Sequence, residues 1–378
     1  MKSKAAVLRE LSRPAPYADS LPLSIEEVTL LPPAATDVVV KVAGAGLCHS
    51  DLSVINGSRG TALPMLMGHE GAGEVVEIGS AITDIKVGDP VVFQFSVSCG
   101  RCINCLAGRP NICSVAPTAR AKGELISGGS RIRDASGEVV RHHAGVSCFA
   151  EYAVMNRGSV VVIDESIAPE DAAIFGCAVM TGVGALINTA RIVPGQSVAI
   201  FGMGGVGLCG LLGAKVAGAG TIIAVDLDDR KLEKAMQMGA THSFNANDPE
   251  LTAKVMELTH GGVDVAVELA GAVAAMEAAY AITVRGGELV TAGLSPIGAK
   301  FGFEHGDLVS NEKSIIGSYM GSCVPVRDIP KFLRMYRSGV LPVDQLIDGK
   351  IGFDEINAGF DRLASGGALR QILVPRLG

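Results

Sequence analysis

The chain has 378 residues, of which 48% are hydrophobic and 19% charged, and its net charge is −7. This composition favours a folded protein with room for two domains, and it excludes a disordered chain and a basic surface for nucleic acid. Because no apolar segment follows Met1, we expect no export signal and a cytoplasmic location, where the nine cysteines stay reduced or bind metal.

The first 95 residues predict a β-rich domain. Short runs of β-branched residues lie between turns marked by proline and glycine, at 5–8, 38–42, 74–78 and 91–93. This spacing is typical of a small barrel or sandwich. Just after the second run comes Cys48-His49-Ser50-Asp51, which we place in a loop where side chains can point at a site.

A histidine stands beside a carboxylate in the stretch Gly68-His69-Glu70-Gly71. Glycines on both sides let an imidazole approach backbone and metal closely. Alone, such a histidine is more often structural. Cys48 upstream and Cys177 downstream change the balance, because two thiolates and one imidazole are the ligand set of a catalytic zinc with an open fourth position. We therefore predict a catalytic zinc on Cys48, His69 and Cys177.

Four more cysteines follow in one short segment, at Cys99, Cys102, Cys105 and Cys113. Two C-x-x-C steps share the middle cysteine, and a loop of this kind can curl around a tetrahedral zinc. A closed shell of four thiolates leaves no position for a substrate, so this second zinc would stabilise the fold. The alternatives are disulfides, which the expected location disfavours, and an iron–sulfur cluster, which usually needs another spacing.

The segment from Ser114 to Ser147 is polar, rich in glycine and without periodicity, and it predicts a long loop. It contains His142 and His143, which we interpret as a solvated pair rather than as metal ligands. Strand-like residues return at 160–163, and helix-like spacing follows at 172–188.

A nucleotide-binding fingerprint opens the second half. The apolar strand 197–201 runs into Gly202-Met203-Gly204-Gly205-Val206-Gly207, a helix is predicted to Ala217, and the strand 221–225 ends on Asp226. A bare glycine motif is weak, but strand, glycines, helix, strand and acid at these distances meet its required context. The glycines let a pyrophosphate approach the helix N-terminus, while Asp226 can bind the adenosine ribose and would repel a 2′-phosphate. We therefore expect NAD rather than NADP; the alternative is a tight turn with no ligand.

The rest of the chain predicts a doubly wound parallel sheet. The uncharged stretch 197–214 is long enough to suggest a membrane span, but its glycines favour the fingerprint, so we expect no membrane partner. A helix at 230–238 precedes further strands that alternate with helical stretches, at 264–269, 288–291 and 314–317. The chain closes with a helix at 329–338 and a strand at 370–374.

The predicted metal centre and the nucleotide fold together indicate oxidation of an alcohol. An alcohol oxygen in the open position of the zinc would be acidified toward neutral pH, and its carbon could pass hydride to a nicotinamide. Ser50 is placed to accept the alcohol proton, and Asp51 to orient a ligand imidazole.

These features resemble the zinc-dependent medium-chain alcohol dehydrogenase family over essentially the whole chain. The resemblance rests on Gly68-His69-Glu70-x2-Gly73-x5-Gly79, the shared-cysteine loop and the fingerprint at 202–207. It implies an α/β fold: a GroES-like, β-rich catalytic domain with both zinc sites, from residues 1–178 and 322–378, and a doubly wound Rossmann domain at 179–321. It also implies NAD, two zinc ions per chain, and a homodimer, with a homotetramer as the alternative.

The resemblance implies further roles by motif position. Glu70 would sit behind the catalytic zinc, where it can exchange with a ligand, and Phe95 would line the substrate pocket. The implied cofactor contacts are His49 and Arg370 with the pyrophosphate, Lys231 with the adenosine ribose, and Thr181 and Val206 on the nicotinamide side.

Two departures from the family pattern bear on mechanism and substrate. Members with a full proton relay carry a histidine where this chain has Ser53, so either Ser53 passes the proton to water or another base serves. In the formaldehyde–glutathione branch, an acid after the Cys48 loop and an arginine after the fourth cysteine meet the carboxylates of the adduct. This chain has Arg59 and Pro117 there, which argues against a glutathione adduct but not against another thiol carrier.

Three functions stay open from the sequence. The one we expect is interconversion of a primary or aryl alcohol and its aldehyde, dependent on NAD and zinc. The second is oxidation of an aldehyde–thiol adduct with a thiol other than glutathione. The third is a non-catalytic nucleotide-binding or zinc-storage relative, since a fold alone does not give a function.

Overall fold

The structure is a computed structural model that describes residues 1–164 and 167–377. The chain forms two compact units: Met1–Cys177 with Val324–Arg337 and Asp344–Gly378, and Ala178–Cys323 with Ser338–Val343. The division expected from the sequence, 1–178 and 322–378 against 179–321, differs from these bounds by one or two residues at the main boundaries. It also differs at 338–343, which group with the second unit.

Strands supply the framework of both units. In chain order they are β1 (Lys2–Leu8), β2 (Leu23–Leu30), β3 (Asp37–Gly46), β4 (Met65–Leu66), β5 (Gly71–Ile78), β6 (Pro90–Phe93), β7 (Ile132–Arg133), β8 (Val139–His142), β9 (Tyr152–Asn156), β10 (Val160–Val162), β11 (Ser197–Phe201), β12 (Thr221–Asp226), β13 (His242–Asn245), β14 (Val263–Glu268), β15 (Thr283–Thr291), β16 (Ser314–Gly317), β17 (Ile347–Ile351) and β18 (Arg370–Leu373).

Helices connect these strands. They are α1 (Tyr17–Ser20), α2 (His49–Ile55), α3 (Ile103–Leu106), α4 (Ala116–Ala121), α5 (Ala178–Gly184), α6 (Gly205–Ala217), α7 (Asp229–Met238), α8 (Leu251–Leu258), α9 (Val273–Ala281), α10 (His305–Ser310), α11 (Pro325–Arg337) and α12 (Ile356–Ala364). The predicted strand at 197–201 and the predicted helix end at Ala217 are confirmed by β11 and α6.

The first unit is built from a closed barrel and a mixed sheet. The barrel order is β1-β2-β7-β8-β4, and the sheet order is β10-β6-β5-β3-β18-β17, with β9 also paired to β3. Because β18 pairs with β3, the C-terminal strand joins a sheet formed by strands from the first half of the chain. Fully buried aromatic side chains, among them Phe93, Phe149 and Phe360, fill its core. Of the two forms predicted, a small barrel or a sandwich, the structure contains the barrel.

The second unit contains a six-stranded sheet in the order β13-β12-β11-β14-β15-β16, and every pair in it is parallel. The central strand β11 is buried from Val198 to Phe201. Strands of a parallel sheet are buried on both faces, so this uninterrupted apolar run is what such a strand needs. The predicted doubly wound arrangement is confirmed. Within the described residues, every helix is too short or too polar to cross a membrane.

The segment 114–147 is not the long loop that its polar composition predicts. It contains α4 and the paired strands β7 and β8, whose residues Ile132 and Val140 face each other and are buried. Strands of two and four residues carry too few apolar positions to show a period. The prediction of a solvated histidine pair is also wrong, since His142 is 0% and His143 9% exposed.

His142 makes the fold sensitive to acid. Its Nε2 accepts the Arg131 N–H at 3.2 Å, and burial together with the Arg131 charge lowers the pKa of His142 from 6.5 to about 3. Below pH 6.5 His142 is protonated in the unfolded chain but stays neutral in the folded chain until about pH 3. The free energy of unfolding therefore falls as the pH drops below 6.5. Between pH 6.5 and pH 5, His142 should cost the native protein about 2 kcal/mol of unfolding free energy, and we expect His142→Gln to avoid this loss.

Urea unfolding at the two pH values checks this, with the exposed His305→Gln as the control. Equal pH slopes for His142→Gln and the native protein would contradict the prediction.

Candidate active site

Three separate segments of the first unit bring Cys48, His69 and Cys177 together. Cys48 is the residue before α2, so the predicted loop there is in fact the start of a helix. His69 lies between β4 and β5, and Cys177 follows a 3₁₀ turn at Asp171–Gly176. All three are buried, and their ligand atoms lie within 4.8 Å of one another.

Gly68 shapes the backbone that presents His69. Its φ is +92°, which a residue with a side chain rarely adopts, and a Cβ there would lie 2.6 Å from the backbone N of Phe149. The segment thus turns tightly against the one that contains Phe149. Larger residues at this position would push the imidazole away from the two sulfurs.

Asp51 sets the orientation of the His69 ring. Its Oδ1 lies 2.9 Å from His69 Nδ1, so a ring protonated at Nδ1 donates to the carboxylate. His69 Nε2 is then buried with no hydrogen-bond partner among the described residues. An orphaned imidazole nitrogen beside two cysteines is what a metal ion would fill, so the donor set fits a zinc ion.

The titration of this trio is strongly coupled. A hydrogen bond from Cys177 stabilises the Cys48 thiolate and lowers its pKa well below the ordinary value, while the same bond, with burial, raises the pKa of Cys177. Burial lowers the pKa of His69, but the charge and hydrogen bond of Asp51 outweigh it and raise that pKa overall. The site therefore already favours one thiolate, as a metal centre requires.

A buried ion pair lies next to the trio. Arg370 Nη1 contacts Glu70 Oε1 and donates to the Leu47 carbonyl at 3.2 Å. Burial raises the pKa of Glu70 to about 7, against the opposing effect of the Arg370 charge. The pyrophosphate contact that the resemblance implies for Arg370 stays a prediction, because its side chain is 4% exposed and is engaged with these groups.

The other predicted residues of this region lie against the His69 ring or in the helix that follows Cys48. Phe95 stands edge-on to the His69 ring, with centroids 5.3 Å apart and planes at 85°. His49 is exposed and Ser50 half-buried in the first turn of α2. Ser53, one turn later, donates its hydroxyl to the His49 carbonyl at 2.9 Å.

Four cysteines form a second cluster on one lobe. The sulfurs of Cys99, Cys102, Cys105 and Cys113 lie within 4.8 Å of one another, and none is in a disulfide. The Cys102 N–H points at Cys99 Sγ at 3.3 Å, and the Cys99 N–H at Cys113 Sγ at 3.4 Å. Backbone donors to sulfur favour thiolates, so this cluster also fits a zinc ion.

We expect Cys105→Ser to remove about one zinc equivalent per chain and to lower stability by several kcal/mol, because the lobe contains few other buried side chains. Zinc content and thermal unfolding of the purified protein measure this. Cys209→Ala, which changes a buried cysteine of α6, should retain the native zinc content. A Cys105→Ser protein with native zinc content would contradict the assignment.

The glycine fingerprint joins β11 to α6 in the second unit. Gly202 has a φ of +94°, and a Cβ on it would lie 2.8 Å from the Ala270 nitrogen. A Cβ on Gly207 would lie 1.6 Å from the Gly202 carbonyl oxygen, whereas one on Gly204 would meet nothing within 4 Å. Open space before the first turn of α6 is the room that a pyrophosphate needs.

Asp226 ends β12 beside this turn. Its carboxylate accepts the Met203 N–H at 2.5 Å and the Asp228 N–H at 2.9 Å. The remaining predicted cofactor residues lie in α5, α6 and α7 and are each partly exposed, namely Thr181, Val206 and Lys231. Their contacts with a cofactor stay predictions.

Comparison with known proteins decides the family. Residues 34–165 match the alcohol dehydrogenase GroES-like domain, and residues 205–338 match the zinc-binding dehydrogenase domain. A relative from Synechocystis sp., S-(hydroxymethyl)glutathione dehydrogenase, is 34% identical over 377 residues, which cover 99% of this chain and 100% of that protein. The chain belongs to the zinc-dependent medium-chain dehydrogenase family. It is therefore an oxidoreductase.

Two solved structures show the same fold. An alcohol dehydrogenase zinc-binding domain protein from Burkholderia ambifaria is 32% identical with a TM-score of 0.94, and the match covers 100% of each chain. Benzyl alcohol dehydrogenase from Acinetobacter calcoaceticus is also 32% identical, with a TM-score of 0.90 over 99% of each chain. The predicted GroES-like and Rossmann architecture is confirmed.

Proposed function

We propose that this dehydrogenase uses NAD and zinc to interconvert a primary or aryl alcohol and its aldehyde. The observation that carries the proposal is the buried trio of Cys48, His69 and Cys177, with an orphaned His69 Nε2, in a zinc-binding dehydrogenase. Three ligands leave one tetrahedral position for a substrate oxygen. The four-cysteine cluster has no such position and serves stability.

The residues of the chain divide the work around that centre. A zinc ion held by the trio would supply the Lewis acidity that lowers the pKa of an alcohol hydroxyl. Asp51 keeps His69 Nε2 directed at the two sulfurs by accepting from Nδ1. Ser50 takes the alcohol proton as its own hydroxyl proton passes to water, whereas the Ser53 hydroxyl proton is donated to the His49 carbonyl.

Phe95 supports an apolar or aromatic substrate. Its ring lies edge-on to His69, so one wall beside the metal centre is aromatic. The relative from Acinetobacter calcoaceticus that acts on benzyl alcohol has the same fold over 99% of this chain. We therefore place aryl alcohols such as benzyl alcohol first among the candidate substrates.

The function is tested by NADH formation over a panel of aliphatic and aryl alcohols, with and without a zinc chelator. We expect turnover of at least one simple alcohol and its loss after chelation. Bound NADH with no turnover on any alcohol would refute the proposal and leave a non-catalytic relative.

A second candidate is oxidation of an aldehyde–thiol adduct, which the 34% identity to S-(hydroxymethyl)glutathione dehydrogenase favours. Arg59 and Pro117, at the places where that branch binds the glutathione carboxylates, favour another thiol. Formaldehyde with glutathione, with another low-molecular-weight thiol, and with none distinguishes the cases. Activity only with a thiol would replace the first candidate by the second.

Asp226 is proposed to select NAD, because its carboxylate would repel a 2′-phosphate. We expect Asp226→Asn to raise kcat/KM for NADP by roughly tenfold or more relative to NAD. Asp228→Asn is the matched control, since Asp228 caps α7 and pairs with Arg230 two residues away. An unchanged ratio of the two cofactors in Asp226→Asn would exclude this role.

A further inference from the structure

We propose that His143 is a positioning residue of the metal centre, which acts on the ligand His69 through the carboxylate of Asp51. The inference deepens the proposed function and rests on it, because it takes Cys48, His69 and Cys177 as the ligands. Neither composition nor any motif points to His143; only its place in the fold does.

Among the described residues the carboxylate of Asp51 has three polar contacts, and it is not exposed to solvent. Its Oδ1 lies 2.9 Å from His69 Nδ1 and 3.2 Å from His143 Nδ1, and its Oδ2 accepts the Cys48 N–H at 3.1 Å. Two of these contacts reach metal ligands. His143 supplies the third and is the only one of the three partners that is not itself a ligand.

The His143 ring also packs directly on His69. The two ring centroids are 5.5 Å apart and the planes meet at 82°, so His143 lies edge-to-face with the ligand ring. His143 is 9% exposed, hence almost completely enclosed. A substitution must therefore separate two contributions, the ring contact with His69 and the nitrogen that faces Asp51.

The backbone around His143 is joined to the segment that presents His69. The His143 N–H is shared by Ser147 Oγ at 2.8 Å and the Leu66 carbonyl at 3.2 Å. Cys148 N–H donates to the Gly68 carbonyl at 3.2 Å, and its Sγ lies 3.2 Å from the Glu70 carbonyl. These bonds hold the position of His143 relative to His69.

The loop that follows His143 has unfavourable backbone angles at two residues. Ala144 and Ser147 have φ values of +53° and +55°, in the left-handed region that residues with side chains rarely occupy. Because hydrogen bonds to one neighbouring segment hold the loop in this conformation, the position of His143 is fixed. The fold therefore holds the His143 side chain against the Asp51 carboxylate.

The consequence of removing the His143 nitrogen follows from the contacts of Asp51. The carboxylate keeps its bonds to His69 and to the Cys48 N–H but loses the 3.2 Å contact with His143 Nδ1 that limits its rotation about them. Partners that orient a metal-bound histidine typically change metal affinity or activity by roughly 10- to 100-fold. His143 is one contact further away, so we expect roughly a 3- to 10-fold faster loss of the metal.

The experiment compares zinc release to a chromogenic chelator from His143→Phe and His143→Asn. Phenylalanine keeps the ring contact and loses the nitrogen, whereas asparagine keeps an N–H near the place of Nδ1. The kinetic phase that is absent in Cys177→Ala belongs to this centre. His142→Gln is the matched control, because His142 is the buried neighbour that binds Arg131 instead.

We expect this phase to be 3- to 10-fold faster in His143→Phe, within about twofold of native in His143→Asn, and unchanged in His142→Gln. The visible absorption band of the cobalt-substituted protein should shift only in His143→Phe. A native rate and band in His143→Phe would overturn the inference, as would equally fast release from both His143 variants, which would assign the effect to packing.

Folding of the His143 variant and assignment of the kinetic phase are each checked separately. If His143→Phe does not fold, His143→Leu takes its place, with the same expectation and the same contrary result. If Cys177→Ala loses no kinetic phase, the proposed metal centre itself is wrong; if it loses one and His143→Phe is native, only the role of His143 is wrong.

Discussion

Replacing His69 with alanine is expected to lower kcat/KM for alcohol oxidation by roughly 10³-fold or more and to remove about one zinc equivalent per chain. His69 Nε2 is buried with no hydrogen-bond partner among the described residues and lies beside the two cysteines, so it is the atom that would bind the metal. Without it, two cysteines alone remain, and a two-ligand site holds zinc weakly. The lost Lewis acidity accounts for several kcal/mol of barrier.

Zinc analysis and steady-state kinetics on the purified variant measure both effects. His305→Ala, which removes an exposed histidine of the second unit, should match the native protein in both. Thermal unfolding separates loss of metal from loss of fold, because the second unit has its own core. Native zinc content with kcat/KM within tenfold of native would refute the metal centre.

The ligand trio could be predicted because its chemistry is local even though its geometry is not. Cysteine and histidine are identifiable as ligands from residue type, and glycines around His69 mark a close approach wherever the fold places it. The sequence does not show that β4, α2 and the turn before Cys177 meet. The trio was predicted from donor type alone, and the structure brings the three ligand atoms within 4.8 Å of one another.

The centre of the second unit was the easier part to predict, because β11, β12 and β14 are buried, mainly apolar runs that are each followed by a helix, whereas the partly exposed β13 was not predicted. β11 and β16 have the predicted bounds. The segment 114–147 was harder, since β7 and β8 contribute few buried residues and gain their stability from pairing with distant strands. A strand of this kind has almost no signal of its own.

His143 and Arg370 show what residue type alone cannot indicate. A histidine in a polar, glycine-rich stretch is usually solvated, but hydrogen bonds from its own backbone to Leu66 and Ser147 draw this one inward. Arg370 matched a cofactor-binding position, yet its guanidinium contacts Glu70. Leu66 for His143 and Glu70 for Arg370 are far away in the chain, so only the fold determines these environments.

The second large effect is expected at the Glu70–Arg370 pair, and it is asymmetric. The two side chains are 0% and 4% exposed. Arginine does not release its proton in a protein, so Glu70→Gln leaves a buried guanidinium without a counter-charge and should cost about 3–5 kcal/mol of unfolding free energy. Glu10→Gln, at an exposed pair with Arg13, is the control and should cost less than about 1 kcal/mol.

Arg370→Met should behave differently, because a carboxyl group can neutralise itself. The pKa of Glu70 is already raised to about 7 by burial, and without the Arg370 charge it rises further. A folded-state pKa above the ordinary 4.5 means that the folded chain binds more protons than the unfolded one, so stability falls as the pH rises through that window. Relative to the native protein, Arg370→Met should be nearly unchanged at pH 6 and lose about 1.4 kcal/mol per pH unit above pH 7.

Urea unfolding at pH 6 and pH 8 distinguishes the two variants. Relative to the native protein, Glu70→Gln should cost about 1.4 kcal/mol less at pH 8 than at pH 6, because only the native protein loses stability as Glu70 releases its proton through a pKa of about 7. The double variant Glu70→Gln, Arg370→Met should recover much of that loss, because it removes the uncompensated charge. If both single variants cost the same at pH 6 and pH 8, charge does not govern this pair, and packing behind the metal centre does.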